Sequence, residues 1–292
     1  MLKKKFLLGV GITSATEEEI LEYILQSLKK SAEKHYIVTP NPEILVYASK
    51  HNDFQTILNN ARLALCDGIG VFWAGKFLGR NFEQRITGVD LLENLCKAAS
   101  KQPITVGFLG GRDKIAEKTA DCLQKKYPRL KVVFAGEEWP GGAEVALAGP
   151  AAHSSQGARA SLSFGTERTA RLGSPPLASP ATGSSRHKNA TMEQFSNETI
   201  DVLFVAFGFP KQEEWMAKNL PKIPVRIMVG VGGAFDYISG VIPRAPKLVR
   251  DFGFEWLYRL FRQPWRLKRQ FALLEFVVLV LKEKMGKKQD ML

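Results

Sequence analysis

Short apolar runs alternate with longer amphipathic segments along most of the chain, and the period of each run indicates its structure. Uninterrupted apolar runs predict β-strands at 6–12, 36–38, 63–66, 104–109, 131–135, 202–207 and 226–229. Apolar residues at helical spacing fill the segments between them, and the first such stripe follows a capping box at Thr16 and Glu19. This alternation predicts an α/β fold with a doubly wound, largely parallel sheet and helices on both faces.

The amino-terminal segment resembles a signal peptide only superficially. Three lysines precede its apolar run, but the run is seven residues long and no clear small-residue cleavage site follows it. We therefore expect a first strand here and one α/β core over residues 1–243.

Residues 141–185 depart from the pattern of the core. They are rich in Ala, Gly, Ser and Pro, and they show neither helical nor strand periodicity. Such a composition buries too little apolar surface to offset the entropy of ordering, so it predicts a disordered insert or a long surface loop. Its contrast with the flanking sequence leaves open whether the segment is native sequence or the product of a frameshift.

Residues 244–292 form a predicted carboxy-terminal appendage that is basic and rich in aromatic residues. Arg259, Arg262, Arg266 and Arg269 are spaced to share one helical face, which Pro264 could divide into two pieces. Residues 271–281 contain one charge, Glu275, in eleven positions. A helix of that length covers roughly 16 Å, about half the hydrocarbon core of a bilayer. The segment therefore predicts a helix that dips into a membrane interface; the alternative is a helix buried against the core.

The net charge of +12 favours an anionic partner. Much of the excess lies in the appendage beside an apolar run, which favours an anionic membrane surface over nucleic acid. The three cysteines lie in apolar segments without a disulfide or metal-binding pattern, and the sequence contains no DxD motif. We expect no metal and no cofactor.

In a doubly wound sheet, ligands bind at the carboxyl ends of the strands. Thr39 and Asn41 follow the second predicted strand and precede Pro42, which suits the first turn of a helix. Their side chains could bond a ligand or simply cap that helix. Asp67 follows the third, where its carboxylate could act as a general base or serve only as a turn residue. Asp236 could bond a sugar hydroxyl or cap a helix.

Further loops offer groups for a phosphate or a nucleotide. Arg85 could grip a phosphate through its guanidinium, and glycines allow a ligand to approach the backbone closely. The candidate residues in these loops are Arg85, Gly110, Lys211, Gln212, Gly230, Gly232 and Gly233.

The order and spacing of six motifs, at 39–43, 67–70, 85–90, 208–213, 230–236 and 244–246, resemble the WecG/TagA/CpsF glycosyltransferase family. The resemblance covers nearly the whole chain except 141–185. It is strongest to members acting in wall teichoic acid synthesis. It implies transfer of N-acetylmannosamine from UDP-N-acetylmannosamine to undecaprenyl-diphosphate-linked N-acetylglucosamine, with a β-1,4 linkage and inversion at the donor sugar. It also implies a metal-independent reaction and a peripheral position at the cytoplasmic face of the cell membrane.

The resemblance also implies roles for the candidate residues. Asp67 becomes the leading candidate for the base, and Thr39 would position a sugar. Negative charge that develops on the departing UDP requires cations or amide donors. The candidates for this contact are Gln212, the glycine loop at 230–233 and the appendage arginines Arg259, Arg262 and Arg266, which could instead hold the lipid diphosphate.

Three alternatives remain open at this point. A member of the same family could use another donor, such as UDP-N-acetylmannosaminuronic acid or a capsular sugar. A non-enzymatic nucleotide-binding module recruited to membranes would need no base. The third alternative, a nucleic-acid-binding protein, is supported only by the net charge. The sequence also leaves open whether the chain forms a homo-oligomer.

Overall fold

The computed structural model describes residues 2–31, 33–140, 199–262 and 267–289. The segment at 141–185 and Arg266 lie outside the described residues. Arg262 lies in a described helix, but its side chain is not described.

The chain begins with an antiparallel hairpin of β1, Lys3–Leu7, and β2, Val10–Ser14. The prediction of one strand over 6–12 is therefore wrong. Leu8 and Gly9 both adopt positive φ, 50° and 79°, and turn the chain between the two strands. Hydrophobicity alone could not reveal this turn, because Leu8 is as apolar as its neighbours. A parallel bridge from Thr13 to Leu65 joins the hairpin to the rest of the fold.

A six-stranded parallel sheet forms the centre of the described structure, and it confirms the predicted fold class. Its strands are β3 His35–Val38, β4 Leu63–Ala64, β5 Thr105–Gly110, β6 Lys131–Gly136, β7 Ile200–Ala206 and β8 Val225–Gly230. Their order across the sheet is β4-β3-β8-β7-β5-β6. This order places the loop after β8 between the loops after β3 and β7, at the same edge of the sheet.

Helices cover both faces of this sheet. In chain order they are α1 Glu17–Lys30, α2 Pro42–Ala48, α3 Asn52–Asn60, α4 Ile69–Phe77, α5 Gly88–Ala99, α6 Ile115–Lys126, α7 Lys211–Asn219, α8 Ala234–Ile238, α9 Lys247–Asp251, α10 Glu255–Arg262 and α11 Leu267–Gln289. The predicted capping box at Thr16 is present at the start of α1, and Pro42 is the first residue of α2.

The apolar core lies in two layers, one on each face of the sheet. Consecutive strand residues point to opposite faces, so Leu203 packs with α2, α3 and α7, whereas Phe204 packs with α1, α5, α6 and α8. Strands covered on both sides must be apolar throughout, which explains why they read as uninterrupted apolar runs.

The last helix, α11, packs against α2 and α4 through one edge of its apolar run. Phe276 and Val280 are buried there, while Leu274, Val277 and Val278 are largely exposed. Ion pairs join this helix to the core, with 2.6 Å from Lys50 Nζ to a carboxylate oxygen of Glu275. The alternative of a helix packed against the core therefore holds for one edge of the run, whereas contact of the exposed edge with a membrane stays a prediction. No helix within the described ranges has the length and apolar content to cross a membrane.

Candidate active site

The loops that follow β3, β4 and β8 meet at one edge of the sheet. The Thr39 hydroxyl, which is buried, donates a hydrogen bond of 3.0 Å to the carbonyl oxygen of Gly230. The backbone N–H of Asp67 donates to the carbonyl oxygen of Pro40 over 3.3 Å. These two bonds place Thr39 between the candidate base and the glycine loop, as the parallel topology predicts.

Asn41 caps the helix that begins in this region. Its side-chain oxygen accepts from the Ile44 N–H at 3.1 Å, at the amino end of α2. The following loop lies close by, because a Cβ added to Gly68 would meet the Cβ of Asn41 at 3.8 Å. Capping therefore occupies the Asn41 oxygen, and within the described ranges no hydrogen bond uses its side-chain N–H₂.

Asp67 lies partly buried just beyond β4, in surroundings that perturb its ionisation. Loss of hydration raises the pKa of this carboxyl to about 7, from an ordinary value of 3.8. The positive charge of Arg85 opposes this rise in pKa, whereas the carboxylates of Glu255 and Asp90 add to it. A carboxyl with a pKa near neutrality is a stronger base than an ordinary aspartate and is still ionised in part at pH 7.

An ionic cluster joins the loop of Arg85 to the segment that contains α9 and α10. Arg244 contacts Asp90 at 2.7 Å and Glu255 at 3.3 Å. Arg85 donates to the carbonyl oxygen of Arg250 at 2.9 Å. Asp90 also accepts from the Thr87 hydroxyl, so it serves both the cap of α5 and this cluster. Arg85 is thereby held beside Asp67 by residues distant in sequence.

The glycine loop after β8 lies against the first turn of α5. A Cβ on Gly88 would meet the Cα and carbonyl oxygen of Val231 at 3.3 Å. Gly232 has φ +53°, and a Cβ added there would meet no atom within 4 Å among the described residues. The loop is thus packed on one side, and Gly232 faces open space on the other.

Gln212 lies beneath this loop. It is 2% exposed, and its side-chain oxygen accepts from the N–H of Gly232 at 2.8 Å. Its side-chain nitrogen donates to Glu213 over 2.9 Å. Lys211, the first residue of α7, is partly exposed beside it. The predicted contact of Gln212 with UDP stays a prediction; the bonds formed here connect it to the loop.

Arg259 reaches the same loop from α10. Its Nη2 lies 3.2 Å from a carboxylate oxygen of Asp236, and its guanidinium stacks over the ring of Tyr237 with 4.9 Å to the centroid. A Cβ added to Gly233 would approach the Arg259 nitrogens to 2.7 Å. Of the three arginines predicted to contact a diphosphate, Arg259, Arg262 and Arg266, only Arg259 has a described side chain, and its guanidinium lies directly on the glycine loop. Asp236 holds it there.

Gly110 occupies a different place, at the end of β5. Its φ is +106°, and a Cβ there would lie 2.9 Å from the carbonyl carbon of Ala206. Gly111 donates to the Ala206 oxygen at 3.2 Å. This glycine permits close packing of the β5 and β7 ends, and no described contact joins it to the loops around Asp67.

Sequence reasoning overlooked two acidic residues near this site. Glu255 begins α10 and affects the ionisation of Asp67, although it lies far along the chain. Glu213 was part of a recognised motif but received no role. Neither carries a sequence signal beyond its position in the first turn of a helix, where acids are common.

No group of three or more His, Cys, Asp or Glu that could hold a metal ion occurs among the described residues. The site as described combines a partly buried carboxyl of raised pKa with a glycine loop and an arginine. Such a set can remove a proton at one point and meet an anionic group at another.

Comparison with known proteins identifies the family of the chain. The model of the "Glycosyl transferase WecG/TagA/CpsF family" matches residues 5–141 and 137–290. The chain is 26% identical over 264 residues to the N-acetylglucosaminyldiphosphoundecaprenol N-acetyl-beta-D-mannosaminyltransferase of Bacillus subtilis (strain 168), covering 88% of this chain and 86% of the relative. The protein of the same name from Staphylococcus aureus (strain MRSA252) is 26% identical over 288 residues, 95% of this chain and 92% of the relative. The family match spans both sides of the sheet and every loop of the site, and the chain belongs to the WecG/TagA/CpsF glycosyltransferase family.

Proposed function

We propose that this glycosyltransferase moves N-acetylmannosamine from UDP-N-acetylmannosamine to undecaprenyl-diphosphate-linked N-acetylglucosamine. The product would be a β-1,4-linked disaccharide lipid of the wall teichoic acid linkage unit, formed with inversion at the donor sugar. The names of the relatives support the acceptor and the transferred sugar. UDP as the leaving group is what the resemblance of the sequence motifs to this family implies.

The position of Asp67 just beyond β4, at the carboxyl edge of the sheet, is the observation that carries the proposed mechanism, and its raised pKa supports its role as a base. In an inverting transfer, the acceptor hydroxyl attacks the anomeric carbon of the donor as the bond from that carbon to UDP breaks. The electron pair goes to the departing phosphate oxygen, and the hydroxyl proton goes to a base. Asp67 suits this role because its pKa is about 7 and it lies at the carboxyl edge of the sheet.

Arg259 and the glycine loop are the proposed contacts for the departing diphosphate. A guanidinium offers paired N–H donors that match phosphate oxygens. Gly232 lies next to Gly233, which contacts Arg259, and no described atom lies close to the exposed side of its Cα, so a phosphate could approach its backbone. Asp236 would hold Arg259 before the donor binds, since the two side chains are already 3.2 Å apart. Arg262, Arg266 and Lys211 remain proposed contacts for the donor or lipid diphosphate.

Thr39, Asn41 and Arg85 have supporting roles in this proposal. Thr39 joins the loop of the base to the glycine loop, so it sets the separation between proton removal and departure of UDP. Asn41 lies close to Gly68, in the loop of Asp67, and its side-chain N–H₂ is a proposed contact for the substrate. Arg85 keeps part of the Asp67 population ionised, because its positive charge opposes the rise of the pKa.

The protein would work as a peripheral protein at the cytoplasmic face of the cell membrane. Large apolar side chains are exposed on the carboxy-terminal helices and on α4. They include Leu248, Phe252, Phe261, Leu274, Val278, Trp73 and Phe77. Together with the basic charge of the segment, such residues favour an anionic membrane surface, where the lipid acceptor resides.

The test is incubation with a panel of UDP-sugars and an N-acetylglucosamine-diphospholipid, followed by mass analysis of the lipid product. The proposal expects addition of one N-acetylhexosamine from UDP-N-acetylmannosamine and no comparable product from the other donors. Efficient transfer from UDP-N-acetylmannosaminuronic acid or another UDP-sugar would contradict the proposed donor specificity. Binding of UDP-sugars without any product would favour a binding module.

A further inference from the structure

We propose that Glu213 is a positioning residue for the glycine loop and acts through the side-chain amide of Gln212. The inference deepens the proposed function, on which its substrate effects rest. The relevant contacts form a short relay from Glu213 to Gln212 and then to the N–H of Gly232.

The first step concerns the orientation of the Gln212 amide. The Gly232 N–H is a donor, so the atom facing it at 2.8 Å must be the Gln212 oxygen. The amide nitrogen then points the other way and needs an acceptor. A carboxyl oxygen of Glu213 provides it at 2.9 Å. With this acceptor removed, the amide would be free to rotate and present its N–H₂ group to Gly232, where two donors would repel.

The second step concerns the burial of the pair. Gln212 is 2% exposed and Glu213 is 0% exposed, so water cannot replace either partner readily. Neighbouring residues on a helix usually diverge by about 100°. The Gln212 side chain nevertheless lies against the loop, where a Cβ on Gly230 would meet its nitrogen at 2.5 Å, and Glu213 accepts a hydrogen bond from that nitrogen.

The third step concerns the free-energy cost of burying the Glu213 carboxyl beside Gln212. The second carboxyl oxygen of Glu213 is buried and has no hydrogen-bond partner among the described residues. Burial raises the pKa of Glu213 to about 7, with a smaller contribution from Glu214. An apolar side chain of similar length would avoid this cost. A carboxyl oxygen accepts a hydrogen bond in either protonation state, so the relay does not depend on the ionisation of Glu213.

The consequence concerns Gly232, the open residue of the loop. It holds φ +53° and lies beside Gly233, against which Arg259 rests. Because the Gln212 oxygen accepts a hydrogen bond from the N–H of Gly232, the relay holds the loop in the conformation that contacts the diphosphate. Glu213 itself touches no substrate.

The experiment compares Glu213→Met, which keeps length but removes the acceptor, with Glu213→Gln, which retains a carbonyl oxygen. Glu214→Gln is the control, since Glu214 is adjacent and partly exposed. Amide hydrogen exchange at Gly232 is measured by NMR, UDP affinity by calorimetry, and stability by urea unfolding. Glu213→Met should speed exchange at Gly232 about tenfold and raise both the UDP Kd and the donor KM about tenfold, the scale of one lost hydrogen bond. Its kcat should change less than about threefold, and its stability should change little, because removal of the buried acid offsets the cost of the Gln212 donor left without an acceptor. Glu213→Gln should restore exchange and affinity to near the control.

The relay is refuted if Glu213→Met leaves Gly232 exchange and UDP affinity at control values, or if it lowers stability without changing either. If Glu213→Met does not fold, Glu213→Gln decides, because a large loss in that variant contradicts a role as acceptor. Absence of UDP binding by the unaltered protein would instead remove the proposed function. Gly232 exchange would still test the relay in that case.

Discussion

Replacement of Asp67 by Asn should slow transfer and stabilise the protein, and the two effects have one cause. The carboxyl has a pKa of about 7 in the folded protein, against an ordinary value of 3.8, because folding removes part of its hydration. Such a change corresponds to about 4 kcal/mol when the group is ionised, taken as an upper value. The folded state binds this proton more tightly than the unfolded state. The stabilising contribution of Asp67 to the free energy of unfolding is therefore fully present below pH 3.8 and is lost as pH rises through about 7.

The neutral amide of Asn avoids this loss. Asp67→Asn should therefore unfold at a higher urea concentration than the unaltered protein at pH 8, with a gain of about 2 kcal/mol or more. At pH 3.5 the two proteins should have nearly equal stability. Asp53→Asn is the matched control, because Asp53 is exposed in the first turn of α3, and replacements at such sites change stability by about 0.5 kcal/mol or less.

The same variant should bind UDP normally and lose about two orders of magnitude or more in kcat, the scale of a missing general base. In the unaltered protein, kcat/KM should rise with pH up to about 7 and then level, since the base acts when deprotonated. Near-normal turnover of Asp67→Asn would remove Asp67 from the role of base. Equal stability of the two proteins at pH 8 would show that the carboxyl is not desolvated, which would refute the argument from burial.

Other parts of the site give further predictions. Arg259→Ala should raise the UDP Kd about tenfold, and Arg259→Lys should recover only part of the loss; an unchanged Kd by calorimetry would remove the proposed diphosphate contact. Arg244→Met removes the cation that Asp90 and Glu255 share and should lower the free energy of unfolding by about 1–2 kcal/mol, less than for a fully buried pair because Asp90 is 36% exposed; urea unfolding at pH 7 measures this, and an unchanged midpoint would contradict it. Transfer should persist in excess EDTA, whereas loss that Mg²⁺ or Mn²⁺ restores would overturn metal-independent activation. Joint replacement of the exposed Leu274 and Val278 by Glu should release the protein from anionic vesicles in a flotation assay without lowering its melting temperature; retained binding would place the membrane contact elsewhere.

Local sequence signals determined much of the core. Strands covered on both faces must be apolar throughout, and amphipathic helices carry a stripe that repeats every three to four residues. For this reason the predicted sheet strands at 104–109 and 226–229 agree closely with Thr105–Gly110 and Val225–Gly230. The capping box at Thr16 followed from side-chain chemistry within four residues. The amino-terminal hairpin was missed because its turn contains Leu8, an apolar residue at positive φ.

The sequence also identified the loops of the candidate site, since parallel strands bring their carboxyl ends to one edge. The sequence could not determine which side chains use their hydrogen-bonding groups for contacts within the protein. Asn41 uses its oxygen as a cap, and Gln212 uses both amide atoms beneath the glycine loop. Those assignments depend on partners that lie close only after folding.

The ionisation of Asp67 belongs entirely to the tertiary structure. Its pKa depends on lost hydration and on Arg85, Asp90 and Glu255. Glu255 is almost two hundred residues away along the chain. Sequence patterns record local propensity and periodicity, whereas Coulomb interactions and desolvation depend on distances through space. The sequence by itself therefore determined the sheet, the loop positions and a carboxylate at a strand end, and only the folded arrangement decided that this carboxylate can act as a base near neutral pH.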